Sequence, residues 1–116
     1  MAAASAEMAA SYGLPCASWV STEAMVEDGQ GASEKAMGLL LHVERGVNLI
    51  WGMGQLDSQM SISPAQLVID DEIAGQVLRL REGVPVDEER LAGETFEAIS
   101  RGEDLLSHPH TLRWFR

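Results

Sequence analysis

Two short runs, Cys16–Val20 and Val47–Trp51, constrain this chain more than any other feature. Val47-Asn48-Leu49-Ile50-Trp51 is rich in strand formers, too short for a stable helix, and flanked by Gly46 and Gly52. Cys16-Ala17-Ser18-Trp19-Val20 ends apolar and lies between Pro15 and the polar Ser21-Thr22-Glu23. Both read as buried strands. Between them Ala36, Leu39, Leu40 and Val43 recur at helical spacing. Strand, long helix, strand is the order of a parallel pair joined by a crossover. Such a pair needs a helical layer on each face, and two strands alone leave two open edges. The expectation is an α/β segment, incomplete alone, whose missing strands come from elsewhere.

The helices announce themselves by their ends. Ala2 to Tyr12 is dominated by Ala and is followed by Gly13 and Pro15, a C-terminal glycine and a breaker. Asp28 can cap a helix from about Gln30 to Arg45 that Gly46 closes. Ser63 and Pro64 form an N-cap and first-turn pair, and Leu67, Ile69, Ile73, Val77 and Leu80 carry an apolar pattern to Glu82 and Gly83. Asp87 can cap a further helix through about Ser100, with Leu91, Thr95, Ala98 and Ile99 on one side and Gly102 behind it. Two parallel strands and about four helices therefore make up residues 1–116 as a single segment.

Charge narrows the partners. Eight Lys and Arg stand against eighteen Asp and Glu, a formal charge of −10 that repels nucleic acid and anionic lipid at long range. The lone Cys16 excludes an internal disulfide framework, reads as a small buried residue, and fits a reducing cytoplasmic setting. No apolar run approaches the ~20 residues that a bilayer crossing needs, so no membrane partner is expected.

The segment Gly52 to Ser61 has two glycines and several amide, hydroxyl and carboxyl groups, the chemistry of a ligand-facing loop. The consecutive Asp70-Asp71-Glu72 fan out by about 100° each on a helix and cannot chelate one ion together. A structural role, with one of them paired to Arg79 or Arg81, is the expectation. His42 lies among leucines, and His108 and His110 fit no zinc spacing, so no metal site is expected. No catalytic residue is identifiable from the sequence.

The stretch Gly46-Val47-Asn48-Leu49-Ile50-Trp51-Gly52-Met53-Gly54-Gln55-Leu56-Asp57-Ser58 is followed by Ser63, Gln66-Leu67-Val68-Ile69-Asp70-Asp71-Glu72-Ile73 and Gly75. Together they resemble the trimethylamine methyltransferase family, and so do Asp28, Gln30, Glu34 and Lys35 upstream and His108, His110-Thr111-Leu112 and Phe115-Arg116 downstream. The resemblance implies the C-terminal portion of a (β/α)8 TIM-type barrel, holding its final two strands out of a fold of about 250 residues. It further implies transfer of a methyl group from trimethylamine or a betaine to the cobalt of a corrinoid (cobalamin) carried by a partner protein. In such a barrel the site lies at the carboxyl ends of the strands, here Ser21–Asp28 and Gly52–Ser61. Substrate-binding candidates are then Trp51 and Trp19 as an aromatic wall for an ammonium group, and Gln55, Asp57 and Gln59 as converging polar groups. The alternative is a non-catalytic remnant acting as a small protein-interaction module, with open strand edges that favour self-association.

Overall fold

The computed structural model describes residues 2–115 and divides into two compact units, Met1–Gly83 and Val84–Arg116. In the first unit the chain runs through α1 (Ala2–Ser11), β1 (Ala17–Trp19), α2 (Gly29–Glu44) and β2 (Leu49–Trp51). A small hairpin follows, β3 (Gln55–Leu56) and β4 (Ser61–Ile62) around a 3-10 turn at Asp57–Gln59, and then α3 (Pro64–Glu82). The expected α/β arrangement is present: β1 and β2 pair in parallel, with Ala17 opposite Leu49, Ser18 opposite Ile50 and Trp19 opposite Trp51.

Helix boundaries fall where capping chemistry puts them. Asp28 accepts from the Gly31 N–H at 3.0 Å, and Ser63 caps α3 through the Gln66 N–H with Pro64 in the first turn. Gly13, at φ 65°, ends α1, and Gly83, at φ 72°, ends α3. No helix among the described residues is long and apolar enough to cross a membrane.

The core lies on one side of the strand pair. Val20, Leu39, Val43 and Val77 form a buried cluster, with Leu40, Ile50, Met53 and Ile73 packed against it. Strand alternation sends Ser18, Ile50 and Val20 toward α2 and α3, where His42 Nε2 meets the Ser18 hydroxyl at 2.8 Å. The opposite face carries Ala17, Trp19, Leu49 and Trp51, all exposed. The reading of both runs as buried strands is thus corrected. They are buried on one face only, because the first unit supplies a single helical layer. Cys16 is likewise half-buried, not enclosed.

Two further expectations change. On α3 the inward stripe is Gln66, Asp70, Ile73 and Val77, while Leu67 and Leu80 face solvent. In the second unit the helix expected from Asp87 to Ser100 is broken into α4 (Glu88–Leu91) and α5 (Gly93–Ser100), since Ala92 takes a left-handed conformation at φ 55°. Asp87 does cap it, accepting from the Arg90 N–H at 2.8 Å. The tail folds as α6 (Pro109–Trp114), with the Arg90 guanidinium 4.6 Å from the Trp114 ring centroid. The helical segments thus outnumber the four expected.

Leu39→Ala should destabilise the first unit by about 2–5 kcal/mol, because Leu39 is buried against Val20, Val43 and Val77 and a cavity would remain. Urea unfolding followed by circular dichroism measures it.

Candidate functional site

The two loops expected to carry the site meet. The Asp57 N–H donates to the Ala24 carbonyl at 2.8 Å and the Ser58 N–H to the Thr22 carbonyl at 2.9 Å. The Ser63 hydroxyl also reaches the Glu27 carboxylate. The first loop is anchored from α2: Glu34 accepts from the Thr22 hydroxyl at 2.6 Å, the Glu23 N–H at 2.9 Å and the Gln30 amide at 2.9 Å. Hydrogen bonding to the charged form, from Thr22 first and then Glu23 and Gln30, holds the Glu34 carboxyl below its ordinary value. The bond from Ser63 lowers Glu27 in the same way.

Beneath these loops lies a buried ion pair. Lys35 Nζ and Asp70 Oδ2 are 2.6 Å apart, each side chain 1% exposed. Lys35 also donates to the Gly52 carbonyl at 3.0 Å, and Asp70 accepts from the Gly54 N–H at 2.7 Å and from Gln66 Nε2 at 2.7 Å. Two charges leave water only where each finds such partners. The expected pairing of one of Asp70, Asp71 and Glu72 with Arg79 or Arg81 is not what is found among the described residues: Asp70 turns inward to Lys35, and Arg79 bridges to Glu82 at 3.9 Å on the surface. Asp71 and Glu72 are exposed, as their fanning on the helix requires.

Lys35 and Asp70 are the buried charges hardest to see in the sequence, yet a signal exists. Lys35 is in phase with Leu39 and Val43, and Asp70 with Ile73 and Val77. Opposite charges on the inward stripes of successive helices mark a buried pair.

Trp19 and Trp51 lie side by side across the parallel register, ring centroids 6.3 Å apart and planes at 20°. They are 48% and 44% exposed, so neither is core. Gln55 follows on the hairpin, half-buried, its Oε1 buried without a hydrogen-bond partner. Asp57, Ser58 and Gln59 take positive φ values of 50°, 48° and 76°, three successive non-glycine residues in a conformation that side chains disfavour. Strain of this kind concentrates at functional loops. The structure thus brings the two tryptophans together, and it sets Gln55, Asp57 and Gln59 on the adjoining hairpin. No hydrogen bond joins the two groups among the described residues. Elsewhere, His108 Nδ1 caps α6 and His110 Nε2 lies 2.9 Å from the Glu89 carbonyl. No cluster of three or more His, Cys, Asp or Glu suited to a metal occurs among the described residues.

Comparison with known proteins gives a consistent picture. A family model described as trimethylamine methyltransferase (MTTB) matches residues 1–116. Trimethylamine methyltransferase MttB of Methanosarcina barkeri is 40% identical over 114 residues, 96% of this chain and 23% of that protein. The corresponding protein of Methanosarcina thermophila is 38% identical over the same shares. The glycine betaine methyltransferase of Desulfitobacterium hafniense is 32% identical over 112 residues, 95% of this chain and 23% of that protein. The chain therefore spans under a quarter of the length of these relatives.

A Cβ at Gly52 would stand 2.6 Å from the Val20 carbonyl oxygen, at φ 98°. Gly52→Ala should cost about 2 kcal/mol or more in thermal melting. Gly13→Ala, with open space around it, should cost only about 1 kcal/mol. A second outcome concerns acid. Glu34 is depressed on folding, so its stabilising contribution is complete above the ordinary value of 4.5 and disappears as pH falls through the lower folded value. Glu34→Gln should speed amide exchange at Glu23 and Ala24 near neutrality, and the difference from wild type should shrink as the solution is acidified.

Proposed function

Because the chain belongs to the trimethylamine methyltransferase family, we propose that it is the C-terminal portion of a (β/α)8 barrel enzyme that takes a methyl group from a methylated amine. The observation that carries this reading is the exposed Trp19–Trp51 stack at the carboxyl ends of two adjacent parallel strands. Helices cover the face bearing Ser18, Val20 and Ile50, and the face with Ala17, Trp19, Leu49 and Trp51 is bare. That asymmetry matches a barrel wall, with helices outside and alternate side chains filling the interior. Further strands of the same enzyme would complete the wall and enclose the tryptophans. Residues 1–116 then form one segment of the barrel, and the site loops are Ser21–Asp28 and Gly52–Ser61.

The substrate class follows from chemistry. A methylated ammonium offers few or no hydrogen-bond donors, so recognition depends on aromatic faces and a nearby negative charge. Trp51 and Trp19 supply the faces. Asp57 supplies a carboxylate, and Gln55 and Gln59 supply amides that orient the remainder of the molecule. The name of one relative, a trimethylamine methyltransferase, and that of another, a glycine betaine methyltransferase, support a tertiary or quaternary methylamine. The acidic balance of −10 favours approach of a cation. The cell's cytoplasm is the proposed location.

The methyl acceptor in this reading is a corrinoid held by a separate protein. When bound, it supplies a cobalt centre able to take up the methyl group. Neither site loop contains His or Cys, so these two loops offer the metal no imidazole or thiolate ligand. That fits a cofactor carried elsewhere, with Trp19, Trp51 and the hairpin residues binding the amine, orienting its methyl group and keeping water away.

The test uses the full-length enzyme containing this chain with its corrinoid protein, following cobalt absorbance on addition of trimethylamine or glycine betaine. Methyl transfer from either supports the proposal, and failure with both sinks it. In an active enzyme, Trp51→Ala should raise KM about 10- to 30-fold, the equivalent of losing ~1.4–2 kcal/mol of cation binding, and Trp51→Phe should recover part of it.

A further inference from the structure

Lys35 and Asp70 grip the two ends of one short turn. Lys35 Nζ takes the carbonyl of Gly52, and Asp70 Oδ2 takes the N–H of Gly54. Trp51 immediately precedes this turn and Gln55 immediately follows it. The pair joins α2 to α3, yet its hydrogen bonds do not stop at the helices. It directs them to the backbone between two residues assigned to the substrate.

We propose that Lys35, Asp70 and Gln66 are positioning residues, which fix the height and angle at which Trp51 and Gln55 stand at the carboxyl end of β2. The proposal rests on the reading of Trp51 and Gln55 as substrate contacts. None of the three touches substrate themselves, being 1%, 1% and 0% exposed. Each has a separate part. Gln66 Nε2 holds Asp70 Oδ1 and so turns Oδ2 toward Gly54 and Lys35. Its own Oε1 packs under the first loop, 3.5 Å from where a Cβ on Gly31 would lie, beside Ala24.

The geometry leaves the turn little freedom. Gly52 at φ 98° and Gly54 at φ 79° are conformations open to glycine, and glycine turns drift unless their peptide groups are held. The Gly52 backbone also lies against the Val20 carbonyl, whose own N–H donates to the Trp51 carbonyl at 2.8 Å. A shift of the turn would therefore move Trp51 relative to Trp19 and open the stack. An amide at position 70 removes the charge that Lys35 pairs with, and with its oxygen kept on the Gly54 N–H and Lys35 Nζ its NH2 faces Gln66, whose side-chain amide must turn over to present Oε1.

The experiment compares wild type, Asp70→Asn and the apolar double variant Lys35→Met/Asp70→Leu in the full-length enzyme with its corrinoid protein. A buried pair replaced by apolar side chains commonly keeps its fold, so the double variant separates positioning from folding. The expected result is a KM for trimethylamine raised about tenfold or more, with kcat within about threefold. Amide exchange at residues 52–55 should accelerate while the interiors of α2 and α3 stay protected. A folded variant with unchanged KM and unchanged exchange at 52–55 overturns the proposal. If Asp70→Asn fails to fold, the double variant decides by the same two readouts. Failure of both to fold assigns the pair to the core and likewise overturns it. If wild type moves no methyl group, the functional reading fails on its own, and exchange at 52–55 still decides whether these residues hold the turn.

Discussion

The ion pair of Lys35 and Asp70 is the constraint on which the rest of the first unit depends. It joins α2 to α3 at a buried point and meets the backbone between β2 and the hairpin there. The desolvation of two charges is a large opposing free energy, and it is offset only when every donor and acceptor is placed. That requirement sets the rotation of both helices. Lys35 must point inward from α2, which brings Leu39 and Val43 inward with it, and Asp70 does the same for Ile73 and Val77. Apolar packing and the polar network are consequently in the same phase on each helix.

The strand pair is built asymmetrically. One face is sealed by α2 and α3, and the other presents two stacked indoles and the side chains of Ala17 and Leu49. A parallel pair with large apolar groups on an uncovered face has only half of the cover that parallel strands ordinarily have. The loops at the same end are tied to each other by Asp57 and Ser58, and the first of them to α2 by Glu34. Polar anchoring holds these loops in place beside an aromatic surface. Rigid surroundings spare the binding step the entropy of ordering them.

Much of the framework was legible because it depends on local chemistry. Asp28 and Ser63 announced helix starts through their side-chain oxygens, and Gly13, Gly46 and Gly83 announced ends through their tolerance of positive φ. The crossover order of two short strands around a helix was enough for a parallel pair. The break at Ala92 was not legible, since Ala is among the best helix formers and nothing in its propensity foretells φ 55°. Nor was the inward phase of α3. Leu67 and Leu80 looked like core, and the inward positions went to Gln66 and Asp70, whose burial is favourable only with partners from another helix.

The sequence by itself determined where the capped helices α2 and α3 begin and end, that the two main strands run parallel, and which family the chain resembles. Tertiary structure alone decided which charges are buried, which face of the sheet is bare, and that Trp19 and Trp51 stack. The physical reason is range. Caps, turns and periodicity act over a few neighbouring residues, whereas the partner of Asp70 lies 35 positions away, and that of Trp19 on a different strand. A side chain's neighbours in space are known only once the helices have been set against the strands.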